Sequence, residues 1–116
     1  MRRLAIAIGN PLRGDDGVAH QVHIPGFERQ DVLQLTPELA EEIASFELVV
    51  FLDASMTATK LHLEPVGPSA GSPLTHFCSP GEIVALARGL FGFAGRAYLC
   101  HIPASDFSSD EHIMGA

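Results

Sequence analysis

The chain has 116 residues, 47% of them hydrophobic, and a formal net charge of −7 at pH 7. That length holds one domain, and the apolar fraction argues for a packed core instead of disorder. With 14 acidic against 7 basic residues and no basic cluster, a nucleic-acid or anionic-membrane surface is excluded as the main partner.

Met-Arg-Arg precedes an apolar run too short to span a membrane, and no small-residue cleavage site follows it. Leu4 to Ile8 is apolar throughout, as expected of a strand covered on both faces in a parallel sheet. It opens into GNPLRGDDG, with Gly9, Gly14 and Gly17 and the adjacent acids Asp15 and Asp16. Gly-rich loops directly after such strands are where open α/β sheets place ligands. Gly17 to His23 predicts about two helical turns with Val18 and Val22 on one face. Ile24-Pro25-Gly26 ends it, because proline and glycine interrupt helical hydrogen bonding.

Asp31 to Leu35 reads as a short second strand. Thr36-Pro37-Glu38 is a helix start, with Thr36 as cap and Leu39 and Ile43 on the buried face. Leu48 to Leu52 is the second wholly apolar run and ends in Asp53. Two such runs separated by helical patterns predict βαβ units. Lys60 to Val66 alternates apolar and polar residues, a half-exposed strand that Pro65 assigns to a sheet edge. Ser79-Pro80-Gly81-Glu82 is a capping box with proline at the first helical position. Ile83, Ala87, Leu90 and Phe91 follow as the buried stripe, and Gly92 is the stop. Arg96 to Ile102 is a last strand ended by Pro103, and Ser108 to Ala116 a loosely held polar tail. The whole chain, residues 1–116, forms one α/β domain in this reading.

Three residues carry the chemistry. Asp16 follows the first strand, Asp53 ends the Leu48 strand, and His76 precedes the capped helix. In a parallel sheet the first two share one edge, which becomes a topological switch point if the first strand lies between the other parallel ones. A buried carboxylate at Asp53 needs a partner, and Arg13 or a metal ion would serve. GNPLRGDDG lacks the GxGxxG order, and a loop aiming two carboxylates inward suits a cation better than a phosphate. Taken singly, Asp16 reads equally as a helix cap, Asp53 as a turn cap and His76 as a loop histidine. Together two carboxylates and an imidazole suit nickel, zinc, iron or manganese, with positions left open. Cys78 reads as a small core residue before it reads as a fourth, softer ligand. His20, His23, His62, His101 and His112 read as ordinary histidines. Cys78 and Cys100, without CxxC spacing, read as reduced thiols of a cytoplasmic protein. No GxSxG elbow or HExxH helix supplies a nucleophile–base pair.

GNPLRGDDG after an apolar strand, then QLTPELAEEIA, VVFLDAS, THFCSPGEIVALARGLFG and AYLCHIPASDF, resemble in that order the nickel–iron hydrogenase maturation proteases. The resemblance covers most of Leu4 to Phe107. It implies a twisted, mainly parallel sheet flanked by helices. It also implies an endopeptidase that removes the C-terminal extension of the immature hydrogenase large subunit after nickel insertion. Matched motif by motif, the family's metal-binding residues fall on Asp16, Asp53 and His76. The nickel is then borne by the substrate, although other divalent metals suit the same ligands. The match assigns no nucleophile; a metal-bound water is the obvious one, since a divalent cation lowers the pKa of its water. The chain departs from the family in a shortened first helix and in lacking a further helix after Phe107. Those departures predict exposed apolar sheet surface, covered by a homodimer or larger assembly. They also favour the alternative of a non-catalytic relative that binds nickel or the large subunit without cleaving it. A nucleotide-binding α/β domain is the third class, and the acidic loop argues against it.

Overall fold

The computed structural model describes residues 1–9, 18–55, 58–69 and 78–103. Five strands form one sheet: β1 (Arg3–Ile8), β2 (Glu28–Val32), β3 (Leu48–Ser55), β4 (His62–Pro65) and β5 (Arg96–Pro103). Their order is β2-β1-β3-β5-β4. β1 pairs in parallel with β2 and β3, β3 in parallel with β5, and β4 antiparallel with β5. The helices are α1 (Leu39–Ile43) and α2 (Pro80–Phe91), with a 3-10 turn at Val18–Gln21. This is the mainly parallel α/β sheet expected from the two apolar runs.

Strand periodicity divides the apolar residues between two faces. Leu4, Ile6, Val49, Phe51 and Ala97 face α1 and α2, where Leu39, Ala40, Ile43, Ile83, Val84 and Ala87 complete the main core. Ala5, Ala7, Val50, Leu52 and Ile102 face the other way, against Ala19 of the 3-10 turn and Val22, Ile24 and Phe27 of the irregular segment that follows. That cover is thin. A trough of about 1000 Å³, lined among others by Phe27, Val50, Leu63, Tyr98 and Cys100, stays open beside it. The sheet residues on this face are nevertheless buried, with Ala5, Ala7, Val50, Leu52 and Ile102 all at 7% exposure or less, so the exposed apolar sheet surface expected from a shortened first helix is not seen at these positions of the described strands. The segment beyond Pro103 lies outside the described residues.

Several boundaries differ from the sequence reading. The second strand is Glu28–Val32, earlier than Asp31–Leu35, because β2 is an edge strand that tolerates charges on both faces. Leu35 instead enters the main core beyond the strand, while Leu33 is exposed. Thr36 does not cap α1 with its side chain. Its carbonyl accepts the Leu39 N–H at 3.1 Å, and its hydroxyl bonds the Glu38 carboxylate and holds that acid below its ordinary pKa. β3 runs past Asp53 to Ser55. In α2 the capping box forms as predicted, with Glu82 N–H donating to Ser79 Oγ and Ser79 N–H to Glu82 Oε1. Its stripe is shorter than predicted, since Leu90 and Phe91 are exposed. Gly92, at φ 71°, turns the chain back, and Phe93 takes the buried position they were expected to fill.

Candidate functional site

The chain leaves β1 for β2 on one side and crosses back to β3 on the other. Such a reversal opens a crevice at the carboxyl ends of the two central strands, where α/β sheets bind ligands. Asp53 stands there, paired in register with Ile8 of β1 and His101 of β5. It is solvent-exposed. The buried carboxylate inferred from the apolar run is corrected on this point: the strand's last residues emerge from the core, so Asp53 is not desolvated. Asp15, Asp16 and Arg13 of the first loop, and His76, lie outside the described residues. Among the described residues, no group of three or more His, Cys, Asp or Glu is arranged to hold a metal ion.

The mouth of the first loop is held by residues that the sequence reading passed over. Gly9, at φ 131°, has a backbone conformation that side chains rarely adopt, so the turn out of β1 requires glycine. Its N–H donates to Val32 O at 3.0 Å. Its carbonyl accepts from His20 Nε2, while His20 Nδ1 lies 2.8 Å from Asp31 Oδ1. Both partners are acceptors, so the two bonds coexist when both ring nitrogens carry hydrogen. Arg29 Nε donates to the same Asp31 oxygen at 3.1 Å, and its guanidinium also bonds the Val22 and His20 carbonyls. Burial pushes the Asp31 carboxyl up, but the bonds from His20 and Arg29 outweigh it and leave the group below its ordinary value. His20, Arg29 and Asp31 thus tie the exit of β1 to the 3-10 turn and β2. No spacing in the sequence signals this, because parallel pairing alone brings Asp31 beside Ala7.

Both cysteines are free thiols. Cys78 packs against the main core, and burial, then Glu82 and Glu38, push its thiol up. Its packing against the main core fits the reading of a small core residue. Burial likewise pushes up the Cys100 thiol.

The hydrogenase maturating endopeptidase HybD from E. coli superimposes with a TM-score of 0.52 and 16% identity, over 89% of this chain and 74% of that one. The NiFe hydrogenase maturation protease HycI from Thermococcus kodakarensis KOD1 gives a TM-score of 0.54 and 18% identity, over 88% and 73%. The fold is that of the hydrogenase maturation proteases. No family model matches the sequence, and no curated protein matches it. The likeness of fold therefore holds at 16–18% identity. No described helix is long and apolar enough to cross a membrane.

Proposed function

We propose that this chain is a metal-dependent endopeptidase of hydrogenase maturation. It removes the C-terminal extension of a nickel–iron hydrogenase large-subunit precursor once nickel has been inserted. The observation that carries the reading is the switch point in a maturation-protease fold: it sets Asp53 beside the strand end that leads into the Asp16 loop. In this reading Asp16, Asp53 and His76 contact the nickel borne by the substrate, so that only a loaded precursor is seated for cleavage. Two carboxylates and an imidazole leave positions on the ion for the precursor's own ligands. Exposure of Asp53 suits that role, because a substrate-borne ion must approach from solvent. The acidic chain, with both thiols free, fits a cytoplasmic site of action.

The test is direct. The protein is mixed with nickel-loaded precursor, and the mass loss of a C-terminal peptide is followed for wild type, Asp16→Ala, Asp53→Ala and His76→Ala. Cleavage by wild type, abolished in each variant, is expected. Cleavage that survives all three substitutions refutes the site assignment. Binding without cleavage assigns the chain to the non-catalytic alternative.

A further inference from the structure

A neutral imidazole has one N–H and one bare nitrogen, so it can donate a single hydrogen bond. His20 meets acceptors at both ends. Its Nε2 bonds the Gly9 carbonyl, and its Nδ1 lies 2.8 Å from Asp31 Oδ1. Neither partner can donate. A carbonyl has no hydrogen, and although burial works against ionisation of Asp31, the bonds from His20 and Arg29 hold its carboxyl below the ordinary value. The His20 side chain is only 10% exposed, so an unmatched ring nitrogen has little water to turn to. Both bonds therefore need the imidazolium. The charged groups beside the ring come from β2: Asp31, and Arg29, whose Nε donates to the same Asp31 oxygen at 3.1 Å. His23 lies 3.4 Å from the Arg29 guanidinium. Among the described residues, β1 and β3 turn Ala5, Ala7, Leu52 and Ala54 to the side of the 3-10 turn, and Arg3 stands at the far end of β1 over the Phe27 ring.

We infer that His20 is a positioning residue for the first loop and acts as a proton-dependent tie: the imidazolium holds the Gly9 carbonyl and Asp31 together, and the neutral ring lets the carbonyl go. Bond strengths give the direction. A hydrogen bond to a carboxylate is roughly twice as strong as one to a neutral carbonyl. When the ring gives up one proton, the other therefore stays on Nδ1 facing Asp31, and the bare Nε2 lone pair opposes the Gly9 oxygen. The Gly9 N–H keeps its bond to Val32 O at 3.0 Å in either state. What His20 sets is thus the carbonyl side of Gly9, the peptide plane by which the chain leaves β1 toward Asp16. Gly9 sits at φ 131°, a conformation with few local preferences of its own to fix that plane. The functional meaning rests on the reading of this loop as nickel-facing: engagement of the loaded precursor weakens as pH rises through the His20 titration.

The experiment follows the full, isotope-labelled chain by NMR through the histidine range, about pH 5 to 8. In wild type both His20 ring nitrogens should carry hydrogen at the acid end, and Nε2 should become the bare nitrogen as pH rises. The Gly9 carbonyl carbon should shift with the same midpoint, because its bond leaves with that proton. His20→Gln should abolish the Gly9 step. Asp31→Asn removes the charge that keeps the last proton on Nδ1, so the ring still titrates while the Gly9 step shrinks. Circular dichroism checks that both variants are folded, and the wild-type titration decides without them. A Gly9 carbonyl that stays put while His20 titrates overturns the proposal, as does a bare Nε2 at the acid end or an undiminished step in either folded variant. The readout is the Gly9 carbonyl and not cleavage, so a chain that never cleaves the precursor refutes the proposed activity and leaves this result standing.

Discussion

Gly95 is where the start of β5 meets the turn between α1 and β3, and replacing it with alanine probes how closely the strand starts are locked. A Cβ added there would lie 2.6 Å from Glu47 O, 2.7 Å from Phe46 O and 2.8 Å from the Glu47 carbonyl carbon. Those contacts are roughly 0.6–0.8 Å too short, and the atoms are backbone, so no side chain can swing aside. The backbone is itself fixed: Glu47 N–H donates to Arg2 O and Arg96 N–H to Glu47 O, each at 2.9 Å. Relief must shift the entries of β1, β3 and β5 together. Overpacking that forces a backbone shift costs about 1–3 kcal/mol. For a domain of this size that lowers Tm by roughly 4–15 °C. Gly89→Ala is the matched control. Gly89 sits in the exposed part of α2 with nothing within 4 Å of an added Cβ, so alanine should stabilise by about 0.4–1 kcal/mol. Thermal unfolding followed by circular dichroism measures both. A Gly95→Ala protein melting with or above wild type refutes the close approach.

Ser79→Ala removes the hydroxyl that accepts the Glu82 N–H, and should cost about 1 kcal/mol in urea unfolding; an unchanged midpoint refutes the capping role. Asp31 titrates lower in the folded protein than in the unfolded chain, so its contribution is present above its ordinary value of 3.8 and lost as pH falls through the lower folded value. The carboxylate is half-exposed, which keeps the effect below about 1 kcal/mol. Asp31→Asn should accordingly be less stable than wild type near neutral pH and converge with it in strong acid; a gap that widens in acid refutes the sign. The open apolar trough motivates a test for association of copies. Light scattering at micromolar concentration should therefore give a dimer or larger species, reduced by Leu63→Lys on its lining, and a monomeric wild type refutes it.

Much of the scaffold was legible because it obeys local rules. The apolar runs at Leu4 and Leu48 could only be central strands, since burial on both faces removes polar alternation. Ser79 and Glu82 declared the start of α2 because the capping box is a contact between near neighbours in sequence. β2 was misplaced for the converse reason: an edge strand carries no pattern that distinguishes Glu28–Val32 from the apolar residues just after it. Leu90 and Phe91 were misassigned because helical spacing says which residues share a face but not where the core beneath that face ends.

The sequence assigns the Gly9–Gly17 loop and Asp53 to one ligand site, because residue type and strand-end position carry that expectation. That Asp53 lies beside Ile8 at the end of β1 was decided by tertiary structure, through the placement of β1 between β2 and β3, which no local pattern encodes. The same holds for the His20–Asp31 tie and for His62 facing His101. Neither pair is signalled by local spacing: the first depends on how the 3-10 turn packs beside β2, the second on the β4–β5 register. What the sequence determined by itself was the kind of chemistry each segment can offer; which segments meet was settled by the one packing that buries both apolar runs.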